Sequence, residues 1–177
     1  MLRKIEINNF KSFEHAEFDL KNFTLLAGRN SMGKTSVIQA IFAMIQNGKN
    51  PFRGEYMNIG KVQEVKNAIT GNGDIEFKIC YKTSEKEIEA SKVITKEGVS
   101  ESGEIDKLIN VIYCSSDRIG IEDTYKKYLG DKIIIGKNCE YVFHYLNAHD
   151  EDQMDPDSLT PSFVITFDAS ISFSLVL

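Results

Sequence analysis

Apolar and polar positions alternate twice near the start of the chain. Leu2, Ile5 and Ile7 stand among charged residues over 2–8, which predicts a half-buried strand. Over 14–20, Ala16, Phe18 and Leu20 share one face by strict alternation, a second strand. The run NFTLLAG at 22–28 is almost wholly apolar and enters a glycine, the pattern of a strand buried on both faces. The period then lengthens to three and four. Val37, Ile38, Ile41, Phe42 and Ile45 predict an amphipathic helix that begins near Gly33 and ends by Gly48. Residues 48–60 hold three glycines and a proline and predict a loop.

Farther along, DIEFKICYK at 74–82 and KEIEASKVIT at 86–95 alternate around a short TSE turn and predict a hairpin. The polar stretch 96–107 predicts a loop with a helical turn, and VIYCSS at 111–116 a short buried strand. IIIG at 133–136 is too short to assign, EYVFHYLNA at 140–148 fits a helix, and HDEDQMDPDS at 149–158 an acidic linker. Residues 159–177 carry a single charge, Asp168, and are rich in Ser, Phe, Val, Ile and Leu; they predict a strand or an adhesive tail. The expected division is a lobe over 1–148, a linker over 149–158 and an atypical apolar tail over 159–177.

Composition narrows the class. At 177 residues, 42% apolar and 27% charged with a net charge of -5, the chain suits one folded domain and not wholesale disorder. Its three cysteines, Cys80, Cys114 and Cys139, have neither an even count nor zinc-like spacing, and Cys80 and Cys114 read as small buried hydrophobes. Cys139, His144 and His149 match no standard zinc spacing. No signal-peptide core and no run of about 18 apolar residues is present, so the expectation is a soluble cytoplasmic protein without a membrane segment. Charge is uneven. Residues 1–60 carry eight Lys/Arg against five Asp/Glu, a net of +3, which fits a small polyanion better than duplex DNA.

One motif dominates. Gly28, Arg29, Asn30, Ser31, Met32, Gly33, Lys34 and Thr35 match GxxxxGK[ST] in full, between a predicted strand and a predicted helix. Backbone N–H groups must converge on a phosphate, so glycine is needed where a Cβ would obstruct the bend. The helix start adds unpaired N–H groups and the positive end of its dipole. In this motif Lys34 reaches the β- and γ-phosphates and the Thr35 hydroxyl takes one Mg²⁺ position, which makes Mg-ATP the expected ligand. Arg29 reads either as a solvated loop residue or as a further phosphate contact.

The stretches LRKIEINNFKSFEHAEFDL and LLAGRNSMGKTSVIQAI together resemble the N-terminal half of the ABC-type ATPase heads of the RecF, SMC and OLD group. More particularly, the chain resembles stand-alone bacterial AAA family ATPases allied to OLD proteins, through VIYCSSDRIGIEDTY and IIIGKNCEYVFHYL as well. The resemblance covers roughly residues 1–147. It implies an α/β P-loop NTPase fold with an antiparallel β-subdomain. It also implies that residues 28–36, Ser36 included, hold the phosphates and that the turn at 9–13, with Lys11 and Ser12, lies beside the adenine and ribose. Phe10 and Phe13 read either as core residues or as adenine contacts. A homodimer or an effector protein is the implied partner, with DNA reached only through such partners.

Hydrolysis in that group needs an apolar strand ending in Asp then Glu, and a signature loop from a second subunit. The one strand of that kind is FVITFD at 163–168, but Ala169 follows Asp168, and no signature-like run occurs. A Q-loop glutamine is also missing, since no Gln lies between Gln63 and Gln153; Asp117 or Arg118, after VIYCSS, is the candidate for that junction, and a salt-bridged surface pair is the plainer reading of the two. Two classes stay open: an ATPase whose catalytic half is lost, divergent or on another chain, and a non-catalytic module that uses nucleotide for interaction or dimerisation. The expectation is the N-terminal lobe of a longer ATPase, ended early.

Overall fold

The computed structural model describes residues 2–21, 23–54, 56–70, 73–82, 86–103, 113–114, 126–130, 140–141, 144, 147–148, 163–168 and 172–176. Two sheets and one principal helix organise them. The first sheet joins β1 (Leu2–Phe10), β2 (Phe13–Asp19), β4 (Ile75–Lys82), β5 (Glu87–Ile94) and β6 (Val99–Ser102) in the order β2-β1-β4-β5-β6, antiparallel throughout. Period-two patterning sets its faces. Ile5 and Ile7 on β1, Ile75, Phe77, Ile79 and Tyr81 on β4, and Ala90 and Ile94 on β5 all turn into the core. Lys92 shares that inward face and is fully buried.

The hairpin of β4 and β5 pairs without a slip from Ile75↔Ile94 to Lys82↔Glu87, as the alternation requires. Cys80 falls on the other phase. Contrary to expectation it is half-buried on the outer face, where its Sγ donates to Glu87 Oε1 at 3.1 Å. Partial burial and then the neighbouring Glu87 carboxylate push its thiol pKa up to about 11.

The second sheet has the order β3-β8-β9-β7, built from β3 (Phe23–Leu26), β7 (Tyr113–Cys114), β8 (Phe163–Asp168) and β9 (Ser172–Val176). β3 and β8 are parallel, whereas β8–β9 and β7–β9 are antiparallel. Residues 163–168 and 172–176, expected as a strand or an adhesive tail, are thus two strands of the sheet that carries the glycine-rich loop.

Helix α1 (Lys34–Ile45) packs against β1 of the first sheet and β8 of the second. Its apolar stripe is wider than the spacing predicted: Ala40, Ala43 and Met44 are buried along with Val37, Ile38, Ile41 and Phe42. A helix covered on more than one side needs such a wide stripe. The loop after it is packed tightly. Gln46 donates through Nε2 to Pro51 O at 2.6 Å and accepts through Oε1 from Tyr56 N at 2.7 Å. That folds Phe52 inward, where it stacks on Phe10 at 5.5 Å and meets Phe77 edge-on at 6.4 Å. Phe10 is therefore a core residue, which resolves its two readings. A short helix, α2 (Val62–Val65), follows.

Two further expectations are corrected. β3 is not buried on both faces: Phe23 is 60% and Leu25 46% exposed, whereas Thr24 and Leu26 are half-buried and Leu26 packs against the core. Residues 99–102 form strand β6 rather than loop. Its polar sequence VSES gives no apolar alternation, but an edge strand needs only the β5 backbone to complete its ladder. Of the sequence assignments farther on, 133–136 and 149–158 lie outside the described residues, and His144, Asn147 and Ala148 in the predicted helix 140–148 are helical.

Candidate phosphate-binding site

The loop between β3 and α1 bends where its sequence allows. Gly33 is the N-cap of α1 with φ 89, and Ser31 also adopts a left-handed φ of 65. A Cβ on Gly33 would lie 2.7 Å from Phe13 Cζ and 3.0 Å from Ser12 Oγ, so the loop is pressed onto the β1–β2 turn. Only glycine meets both demands. Phe13, half-buried, packs edge-on against Phe18 at 5.6 Å and supports that contact.

The helix start is electrically unbalanced. Val37 N–H donates to Gly33 O at 3.1 Å as the first helical bond, so the N–H groups of Lys34, Thr35 and Ser36 have no intrahelical acceptor. No cap side chain bonds them, and no acidic residue stands in the first turn. The dipole's positive end is thus uncompensated. Beside it lies a concavity of about 280 Å³ lined by Lys11, Ser12, Ser31, Gly33, Lys34, Thr35 and Ser36. Lys34 Nζ donates to Gly28 O at 2.8 Å and to Arg29 O at 2.9 Å. Thr35 is exposed to solvent, a hard oxygen donor of the kind Mg²⁺ accepts alongside phosphate and water. The chemistry of the lining therefore fits a Mg-bound polyphosphate.

The second cation comes from the β1–β2 turn. Lys11 takes a left-handed φ of 50, and its Nζ donates to Gln39 Oε1 on α1 at 2.6 Å. Burial lowers its pKa below the usual lysine value, since the ammonium has lost water without gaining an anion. Gly28, Arg29, Asn30 and Met32 are exposed residues of the loop and do not line the concavity. Asp168 ends β8. It stands two residues beyond Thr166, the last residue that β8 pairs with β3, at Leu26. Asp117, Arg118, Cys139 and His149 lie outside the described residues, and His144 Nδ1 accepts from Tyr128 N–H at 3.0 Å. Among the described residues no cluster of three His, Cys, Asp or Glu could hold a metal ion.

Sequence reasoning placed the turn at 9–13 near the ligand but missed Gln39 and Asn67, and the contacts of Asn9, which lie behind Lys11. The one signal was polar residues at buried phases: Asn9 continues the inward Ile5, Ile7 alternation and is only 6% exposed.

A family model described as an AAA ATPase domain matches residues 1–169. The SMC head domain from Thermotoga maritima is similar at TM-score 0.42 and 18% identity, covering 59% of this chain and 37% of that one. The recombination mediator protein RecF–ATP of the RecFOR pathway is similar at TM-score 0.46 and 16% identity, covering 62% of this chain and 28% of that one. This chain thus spans well under half the length of those proteins. No curated protein matches the sequence.

Proposed function

The chain belongs to the AAA ATPase domain family, and from that premise we propose that it binds Mg-ATP in the concavity at the start of α1. One observation carries the reading. Two lysines, a threonine hydroxyl and three unpaired helix N–H groups converge on a single concavity without an acidic residue lining it. In the proposed complex Lys34 exchanges the Gly28 and Arg29 carbonyls for phosphate oxygens, since charge-assisted bonds to an anion are roughly twice as strong. Lys11 and Ser12 approach the nucleotide from the β1–β2 turn, and Thr35 holds Mg²⁺. Bound magnesium would neutralise phosphate charge.

Turnover by this chain is proposed to be slow. Asp168 ends the strand that pairs with β3, but Ala169 follows it where a glutamate would orient water. That observation favours a second reading, a nucleotide-dependent interaction or dimerisation module. A homodimer or effector as partner, with any DNA reached only through it, belongs to the same proposal. Among the described residues no helix is long and apolar enough to cross a membrane.

Thermal unfolding tests the site. A ligand at about 100 times its Kd stabilises the folded state by about 2.7 kcal/mol, or roughly 5–10 °C for a chain of this size. Millimolar Mg-ATP is expected to raise Tm by that order in the wild type and not in Lys34→Ala. An unchanged Tm in the wild type refutes binding. Phosphate release monitored on the same samples separates the two readings: fast turnover that Lys34→Ala eliminates refutes the non-catalytic one.

A further inference from the structure

The end of β1 and the turn into β2 hold a left-handed backbone at two residues that are not glycine, Asn9 at φ 56 and Lys11 at φ 50. Side chains disfavour that region, so something outside the turn must hold it. The restraint comes from the segment after α2. Lys11 N–H donates to Val65 O at 2.8 Å, and Asn67 N–H donates to Asn9 O at 3.2 Å. Asn67 Nδ2 donates to Lys11 O at 2.9 Å. Both peptide groups of Lys11 are therefore tied to residues 65–67.

Asn67 is itself immobilised. It is 3% exposed, and its Oδ1 accepts from Ile69 N at 2.8 Å and Thr70 N at 3.1 Å. Thr70 Oγ1 in turn donates to Asn9 Oδ1, and Asn9 Nδ2 donates to Gly73 O. One asparagine thus joins the hydrogen-bonded turn at 67–70 to the carbonyl of Lys11, a residue that lines the concavity.

We propose that Asn67 is a positioning residue for nucleotide: it holds the Lys11 backbone so that the Lys11 ammonium reaches the phosphates of Mg-ATP. This rests on the nucleotide reading above. Asn67 does not line the concavity and acts only through Lys11. The lowered pKa of Lys11 agrees with a cation already stripped of water and poised for an anion. A purely structural asparagine would leave binding by the folded protein unchanged, or change it alike with and without Lys11.

The test is a double-mutant cycle on the full chain, with the Kd for Mg-ATP measured by calorimetric titration. Asn67→Ala and Lys11→Ala are each expected to weaken binding roughly tenfold, and the double variant no more than Lys11→Ala alone. Asn67→Asp keeps the acceptor for Ile69 and Thr70 but cannot donate to Lys11 O. It is expected to show the same loss, and it serves should Asn67→Ala fail to fold. Wild-type affinity in either Asn67 variant overturns the proposal, as does an Asn67 effect of equal size in the Lys11→Ala background. Absence of binding in the wild type overturns the nucleotide reading itself, and Lys34→Ala identifies that case.

Discussion

Gly33 stands where the loop ends and α1 begins, and both its conformation and its surroundings exclude a side chain. A left-handed φ of 89 costs an L-residue about 1–2 kcal/mol, and displacing the Phe13 ring adds about 1–3 kcal/mol. Gly33→Ala is therefore expected to destabilise the fold by about 2–5 kcal/mol. Gly98 provides the control. A Cβ there meets nothing within 4 Å, so Gly98→Ala is expected to change stability by about 0.5 kcal/mol or less. Urea titration of both variants checks the contrast, and equal losses would show that the Phe13 contact does not constrain the loop. At this scale the motif was legible because the chemistry demands particular residues at fixed spacing. The pressure of Phe13 on Gly33 was not, because its partner comes from a different strand.

The two ends of α1 are handled differently. Its N-terminus is left open toward the cradle, whereas its C-terminus is closed by a buried cation from β5. Lys92 Nζ donates to Gln46 O at 2.8 Å and pairs with Glu101 Oε1 at 2.8 Å across to edge strand β6. The ammonium meets the negative end of the helix dipole and the carboxylate in a site without water exposure on the lysine side. Lys92→Met keeps much of the packing but leaves the Gln46 carbonyl unpaired. A loss of about 2–4 kcal/mol is expected from denaturant unfolding. Adding Glu101→Gln should recover part of it, since the carboxylate no longer lacks its cation. The alternation of KEIEASKVIT already put Lys92 on the inward face of β5. Why a lysine stands there became apparent only with α1 ending beside it.

At the scale of the molecule, the strand before the glycine-rich loop and the helix after it both meet a strand from the far end of the chain. β8 is the neighbour of β3 among the described strands, and α1 packs against it. Deleting 159–177 removes β8 and β9 together. The five-stranded sheet draws on residues before 103 and is expected to persist in circular dichroism. The strand leading into the glycine-rich loop then loses its ladder, and the Tm increase with Mg-ATP is expected to disappear. A full Tm increase in the deletion variant would show that β3 and α1 hold the cradle without β8.

Local order was written in the sequence wherever one face of an element is apolar and the other wet. Period two set β1, β2 and the β4–β5 hairpin, period three to four set α1, and the GxxxxGK[ST] spacing set the loop between β3 and α1. Tertiary structure decided what depends on neighbours distant in the chain. It left Phe23 and Leu25 of an apolar strand exposed, and it made a strand of VSES at an edge where backbone pairing alone suffices. It also brought Asn67 to the carbonyl of Lys11. Periodicity records how much of a residue is buried. It does not record which residue does the burying, because long-range pairing and buried hydrogen bonds depend on three-dimensional proximity that leaves no period in the sequence.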